Sequence, residues 1–429
     1  MIGATITVFV VLALASVPIA FAVGIAVMVG ISAFSSFPMA IVIQKMVTGI
    51  DNFVLVAIPL FVLTGNLMNA GGITDRIFTF VRALVGHMPA GLAHANVGAS
   101  VVFAGVSGSA VADAAGMGAI EIKAMSDAGY DRPFSAAVTA ASSVIGPIIP
   151  PSIPMILYGV IAEVSIGRLF AAGIVPGLIL AVTLSAQIAW MSRGGRFPRD
   201  PRATASVVWC AFRSGFFALA TPVVMLGGLL GGVFTPTEAG AVAAFYALVV
   251  SLFVYRSLSF ADLPRVLVET MITTAIVLFI ISAVSPFSWM LVITRSAAGF
   301  VGFVQALTAD PLIVLLLINI ALLVLGAVME SGAVLVLMAP LLVPLAASVG
   351  VDPVHFGIIM VLNLMIGVAT PPVGMALFVT AHIASIPVER MMRAILPFIP
   401  PMLVTLAVVT YWPALSLTLP RLLFGAAQP

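Results

Sequence analysis

The sequence predicts an all-α polytopic membrane protein built on an internal repeat, and three observations predict it. Apolar residues fill 62% of the 429 positions. Charged side chains fill only 7%, 17 Lys and Arg against 15 Asp and Glu, where a globular domain carries about a quarter. Unusual backbone motifs within apolar stretches recur at an offset of 221 residues. So little charge cannot coat a water-facing surface, which excludes soluble enzymes, nucleic-acid readers and disordered scaffolds. At about 20 residues per crossing, the length holds roughly ten to twelve spans. The net charge of +2 rests on too few groups to describe a partner. Cys210 is the one cysteine, so there is no intrachain disulfide or thiolate cage, and the four His form no HExxH pair.

Taken in order, Met1 to Ala33 is an apolar run with no Lys or Arg ahead of it, unlike a secretory leader, and reads as a first membrane segment bent near Pro18. Ile41 to Asn52 mixes Gln44, Lys45 and Asp51 with apolar residues at helical spacing, which suits a helix lying along the lipid headgroups. Full spans are expected over Val54–Asn69, Ala136–Val160, Leu169–Trp190, Phe216–Val233, Ala239–Tyr255, Val266–Ile293, Leu312–Val328, Phe356–Ala369 and Leu396–Trp412. Arg193, Arg196, Arg199, Arg202 and Arg213 crowd a Gly- and Pro-rich stretch, read as a cytoplasmic loop because short cationic loops stay inside. Arg256 and Arg265 return to the same side two spans later.

The offset of 221 places Gly105 on Gly326, Gly129 on Gly350, Asp131 on Asp352, Gly146 on Gly367, and Pro150-Pro151 on Pro371-Pro372. In each half a Gly- and Ser-rich run, Gly105 to Asp113 and Gly326 to Ala333, suits a re-entrant hairpin whose tip breaks helical hydrogen bonding where a polar, protein-lined cavity can satisfy it. Small residues at such spacing also serve helix packing, and the pairing across the repeat favours the hairpin. Each hairpin is followed by two adjacent prolines, which remove two amides and push the preceding residue out of the helical region, so two discontinuous helices are expected. Broken ends expose carbonyls, amides and the hydroxyls of Ser107, Ser109, Ser152, Ser331 and Thr370. Carbonyls and hydroxyls replace the hydration shell of a small hard cation such as sodium, and helix N-termini attract an organic anion.

Among carboxylates at membrane depth, Glu330 falls at the second hairpin tip, Asp113 near an interface, and Glu238 in Thr235-Pro-Thr-Glu238, where it reads as a helix cap. His355 and His382 lie near segment ends and read as satisfied interfacial residues. No clustered aspartates and no Ser/His pair at suggestive spacing supply intramembrane catalysis, and no GxxxxGK[ST] loop binds ATP, so the energy comes from a gradient or a separate ATPase.

Ile58-Pro-Leu-Phe61 with Gly65-Asn66, Ser107-Gly-Ser-Ala110, Gly146-Pro-Ile-Ile-Pro-Pro-Ser152, Thr235-Pro-Thr-Glu-Ala-Gly240, Gly326 to Pro340 and Ala369-Thr-Pro-Pro-Val-Gly374, in this order, resemble the DctM-like large membrane subunit of tripartite ATP-independent periplasmic (TRAP) transporters nearly end to end. The resemblance implies an inverted-repeat, elevator-type secondary transporter with two re-entrant helical hairpins and two discontinuous helices. It implies scaffold helices over 1–75 and 214–305, and an Arg-rich linker over 191–213. The transport repeats would span 76–190 (hairpin 93–125, broken helix 134–160) and 306–429 (hairpin 312–347, broken helix 355–382, and a C-terminal helix). It further implies sodium-coupled uptake at the bacterial inner membrane, a small four-helix membrane subunit, a periplasmic binding protein, and a carboxylate substrate, family substrates including dicarboxylates and sialic acid. Sodium is the only ion expected and no cofactor is. Its contacts would come from Ser107, Gly108, Ser109, Gly146, Pro147, Glu330, Ser331, Gly332, Gly367 and Thr370, and the substrate's from Ser109, Asp113, Ser152, Glu330 and Thr370. The family often has Asp where Glu330 stands. A proton- or sodium-coupled carboxylate carrier of similar fold working without a binding protein is the alternative.

Overall fold

The computed structural model describes residues 1–195, 197–308 and 310–425, so Arg196 of the cationic stretch lies outside the described residues. Twenty-one α-helices follow in order: α1 (Ile2–Leu14), α2 (Ile19–Phe34), α3 (Ala40–Ile50), α4 (Ala57–Ala70), α5 (Ile73–Val85), α6 (Gly91–Ser107), α7 (Ala110–Asp127), α8 (Arg132–Ser143), α9 (Ile153–Ile161), α10 (Ile166–Met191), α11 (Ala205–Leu230), α12 (Pro236–Val249), α13 (Leu263–Ile293), α14 (Ser296–Leu307), α15 (Pro311–Val328), α16 (Ser331–Ser348), α17 (Pro353–Val368), α18 (Met375–Ala384), α19 (Val388–Ile395), α20 (Ile399–Tyr411) and α21 (Ala414–Phe424). Among the described residues, eight helical segments are long and apolar enough to cross a membrane.

Several expectations change. The N-terminal run is not one bent segment: Ser16 takes a left-handed φ of 62°, and α1 folds back on α2 with Thr5 against Gly30. Helix α11 begins at Ala205 and carries Arg213 within it, so the cationic connection is shorter than expected. The C-terminal stretch is two helices, parted at Trp412 and Pro413. Asp113 is buried within the protein at 3% exposure.

The repeat is visible in the helices themselves. An offset of 221 carries α7, Ala110–Asp127, onto α16, Ser331–Ser348, and the start of α8 onto the start of α17. Gly129 and Gly350 both end their helices with left-handed φ values of 89° and 77°, which glycine adopts without a Cβ penalty. Asp131 and Asp352 then hold the N-cap positions of α8 and α17. Chain is unwound over residues 144–152 and 369–374, the two diproline segments. Isolated prolines behave differently: Pro176, Pro222, Pro286, Pro340 and Pro344 all stay inside helices. A third pair, Pro400 and Pro401, falls in the first turn of α20, where no intrahelical amide is lost.

The halves share one core. Tyr158 of α9 donates its hydroxyl to the Pro353 carbonyl at 2.7 Å and meets Phe356 of α17 edge-on at 6.4 Å between centroids. Gly357 admits this contact, since a Cβ there would fall 2.5 Å from the Tyr158 ring. Buried amides bind hairpin to broken helix in each half: Asn96 of α6 donates to Thr139 and accepts from Ser142 of α8, at 2.7 and 2.6 Å. In the second half Asn363 of α17 donates to Asn319 of α15 at 2.7 Å, and Asn319 to Thr410 at 3.1 Å.

Candidate functional site

Each helical hairpin turns in two residues. In the first, Gly108 takes a left-handed φ of 63° and lies so close to the diproline segment that a Cβ would meet the Pro151 carbonyl at 2.7 Å. Ser109 then caps α7, accepting the Ala112 amide at 3.4 Å. In the second, Glu330 caps α16, its carboxylate accepting the Gly332 and Ala333 amides at 2.9 and 2.7 Å. Each turn is stitched to its own diproline segment by a backbone hydrogen bond: the Ile153 amide donates to Gly108 at 3.4 Å, and the Val373 amide to Ala327 at 3.1 Å.

Behind the first turn, Ser107 donates its hydroxyl to one oxygen of Asp113 and accepts the Ser109 amide at 3.3 Å. The other oxygen, Oδ2, lies against Gly146 and has no hydrogen-bond partner. Ser152 caps α9, accepting the Met155 amide at 3.2 Å while donating to the Pro147 carbonyl. Behind the second turn, Gly367 packs on Gly326 so tightly that a Cβ would meet backbone at 2.6 Å, and Thr370 donates to the Ile366 carbonyl at 2.7 Å.

Both turns open onto one cavity of about 400 Å³. Hairpin residues Gly108, Ser109, Ala110, Glu330, Ser331 and Gly332 line it, together with Pro147, Ile153 and Pro154 of the first broken helix and Met365, Val368 and Met375 of the second. Of the expected ion contacts, Gly108, Ser109, Pro147, Glu330, Ser331 and Gly332 therefore meet in one place. Ser107, Asp113 and Gly146 gather behind the first turn, and Gly367 and Thr370 behind the second. Of the expected substrate contacts, Ser109 and Glu330 line the cavity, whereas Asp113, Ser152 and Thr370 are not among its lining residues.

Sequence reasoning missed the cavity's far wall, Thr273, Ile276, Val277 and Ile280 of α13. These share one helix face at i, i+3, i+4 and i+7, a period that the apolar residues on every side of a 31-residue helix hide. Glu121, buried at 1% exposure with Oε1 unpartnered, was also missed. Away from the cavity, Glu238 forms the expected capping box with Thr235, and His355 is satisfied by Ser416 at 2.7 Å and the Thr410 carbonyl at 3.2 Å. His355 is 1% exposed, while His382 is exposed.

Residues 6–415 match the family model described as the DctM component of tripartite ATP-independent periplasmic transporters. The chain belongs to the DctM family. A relative within reach of this DctM-family chain is the sialic acid TRAP transporter large permease protein SiaM of Vibrio cholerae, 44% identical over 385 residues that cover 90% of each chain. A second, the sialic acid TRAP transporter permease protein SiaT of Haemophilus influenzae, is 43% identical over 89% of this chain, which spans 62% of that longer protein. In fold, the DctM-family chain resembles the crystal structure of the Alcanivorax borkumensis YdaH transporter, with a TM-score of 0.64 over 90% of this chain and 91% of that one, at 14% identity.

Proposed function

We propose that this chain is the large membrane subunit of a sodium-coupled TRAP transporter that imports an organic acid across the bacterial inner membrane. The observation that carries the reading is the convergence of four helix N-termini, those of α7, α9, α16 and α18, on one cavity whose described lining contains no Lys, Arg or His. A helix N-terminus presents partial positive charge, and although Glu330 and Ser152 take up amides of α16 and α9, the Ala110 and Val111 amides of α7 and the Met375 and Ala376 amides of α18 have no hydrogen-bond partner among the described residues, which suits an anion held without a fixed cation. Relatives named for sialic acid, itself a carboxylate, support the substrate class.

Two clusters behind the turns supply hard oxygen ligands suited to sodium. The first holds Ser107, the unpartnered Asp113 oxygen and the backbone carbonyls of the unwound chain at Gly146 and Pro147, the latter already accepting from Ser152; the second holds Thr370 and the carbonyls of the unwound chain after Gly367. Because the cavity lies between them, ion occupancy can set how each turn presents its amides to the substrate. In this reading the hairpins and broken helices move together as a re-entrant transport body against a scaffold that includes α13, as in an elevator. A periplasmic binding protein delivers the acid and a small four-helix subunit completes the membrane part.

Uptake into proteoliposomes holding both membrane subunits and supplied with the binding protein tests this. Replacing sodium by choline is expected to abolish uptake, and undiminished uptake along a proton gradient would establish a proton-coupled carrier instead. Glu330→Ala or Ser109→Ala is expected to abolish sodium-dependent uptake with assembly intact; normal transport by both variants would remove the two turns from the site.

A further inference from the structure

Where the Arg-rich connection crosses the molecule, α5, the first turns of α11 and the chain leaving α12 enclose a polar cavity of about 370 Å³. Arg82 of α5 meets Asp200 of that connection, Phe80 meets Phe212 at 5.7 Å between centroids, and Arg76 meets Ser214, so α5 and α11 run antiparallel from the connection up to the cavity. Gly72, Asp75, Arg76, Thr79, Ser214 and Ser257 line it. Gly72, with a left-handed φ of 62°, turns the chain from α4 into α5, and Ser257 donates its hydroxyl to the Gly71 carbonyl, which ties this turn to the chain leaving α12.

Arg76 is held in one place. Its guanidinium lies 4.0 Å from the centroid of the Tyr255 ring, and its Nη1 donates to Ser214 Oγ at 2.8 Å. The ring is itself fixed, because its hydroxyl accepts the Ala218 amide at 3.2 Å. Ser214 accepts from Arg76 and keeps its own O–H to donate, and the rest of the Arg76 fork has no acceptor among the described residues. The ion pairs of the described residues are Arg82 with Asp200 and Arg265 with Glu269. Arg76 therefore has no carboxylate partner there, and neither do the exposed Arg213 and Arg256, which adjoin Ser214 and Ser257 in the chain. Asp75 is a carboxylate in the lining, and these three arginines outnumber it.

A planar cation with donors to spare and a hydroxyl beside it matches the oxygens of a phosphate group. The membrane is the source that the surroundings favour. Trp209 of α11 and Phe260 of the chain after α12 belong to the elements that wall the cavity and are 65% and 68% exposed, as aromatic rings are at the level of the headgroups. Basic pockets between membrane helices on the cytoplasmic side collect anionic headgroups, because that leaflet carries the negative surface potential. We infer that this cavity holds the phosphate of an anionic phospholipid of the inner leaflet, with Arg76 as its main contact. The site requires only that the Arg-rich connection lies at the cytoplasmic face, and it is independent of what the carrier moves. Because α5 leads from α4 into the first hairpin, a bound headgroup anchors the root of that hairpin to α11 and to the end of α12.

The test is the melting temperature of the purified full chain in a neutral detergent at low ionic strength, with phosphatidylglycerol or phosphatidylcholine added at equal concentration. Phosphatidylglycerol is expected to raise it, phosphatidylcholine is not, and the rise is expected to shrink with salt. Arg76→Gln is expected to weaken the apparent affinity for phosphatidylglycerol at least about fivefold, the equivalent of about 1 kcal/mol for one basic residue at an anionic surface. That variant also loses the Tyr255 and Ser214 contacts, so Asp75→Asn supplies an independent arm. Asp75 makes no ion pair among the described residues, and removing its charge is expected to strengthen the binding of phosphatidylglycerol. Equal stabilisation by the two lipids, an undiminished rise in Arg76→Gln, or weaker binding in Asp75→Asn overturns the site. Inorganic phosphate that reproduces the whole rise overturns the lipid as its occupant. Each of these outcomes leaves the sodium-coupled carrier standing, since none of them reads transport.

Discussion

Asp113 has a surrounding that an apolar core alone does not tolerate. One carboxylate oxygen accepts the Ser107 hydroxyl, and the other lies buried against Gly146 with no donor. A buried charge without a partner is costly, and in the proposed sodium-coupled reading a cation bound beside the neighbouring carbonyls would be that partner. Asp113→Asn is therefore expected to raise the sodium concentration for half-maximal uptake at least tenfold, about 1.4 kcal/mol of binding, and an unchanged sodium dependence would take Asp113 out of the ion site. Gly108 tests the turn itself. Alanine there must hold the left-handed φ of 63°, at about 1–2 kcal/mol, and also push its methyl onto the Pro151 carbonyl. Gly108→Ala should lower the melting temperature of the purified protein and reduce uptake, and wild-type values for both would show that the close approach is not required. Glycine and serine in these runs were readable as a turn from the sequence, because few other residues suit one at membrane depth. The burial of Asp113 was not, since spacing along a helix says nothing about which neighbour closes over it.

Among elements, the repeat explains why so much of the site was legible. Paired prolines cannot be absorbed by a helix interior as single ones are, and Pro150-Pro151 and Pro371-Pro372 both fall in unwound chain while Pro176 or Pro286 does not interrupt its helix. What escaped was the polar bonding that holds each hairpin to its broken helix, because a lone Asn in an apolar run names no partner. Asn96 and Asn363 do this in the two halves, and both are fully buried. Interhelical hydrogen bonds in membranes average about 0.6 kcal/mol and reach about 1.7. Asn363→Ala and Asn96→Ala should each destabilise the protein by about 1 kcal/mol in a detergent unfolding titration, since each removes the amide that joins hairpin to broken helix in its half. A large loss in one half and none in the other would mean that the halves are not held alike. The Thr235 cap at the start of α12 lies outside this arrangement, so Thr235→Ala should cost about 1 kcal/mol of stability and leave the sodium dependence of uptake unchanged.

On the scale of the whole molecule, the connection between the halves proves to be a fastened strap. Its arginines were readable as an orientation signal, because charge density shows in any sequence; its docking was not, because it depends on residues from distant helices. Phe197 stacks on Phe134 at 4.5 Å and on Tyr130 at 5.6 Å, and Phe134 reaches Phe398 at 6.1 Å. Tyr130 donates its hydroxyl to the Pro198 carbonyl at 2.9 Å, and the Asp200 amide donates to Gly86 at 3.1 Å. Arg82 of α5 grips Asp200 with two hydrogen bonds, at 2.8 and 3.3 Å, which holds the guanidinium above its ordinary pKa. The partners of this pair are 43% and 30% exposed, so solvent screening limits it to about 0.2–1 kcal/mol. An aromatic pair adds about 0.5–1.5 kcal/mol beyond the area it buries, which makes stacking the stronger fastening. Phe197→Ala is therefore expected to lower the melting temperature more than Asp200→Ala does. The loss in Asp200→Ala should shrink as salt rises through one Debye length's worth of screening, while that in Phe197→Ala should not. The reverse ranking, with a salt-sensitive Phe197 variant, would mean that charge and not the aromatic stack holds the two halves at this point.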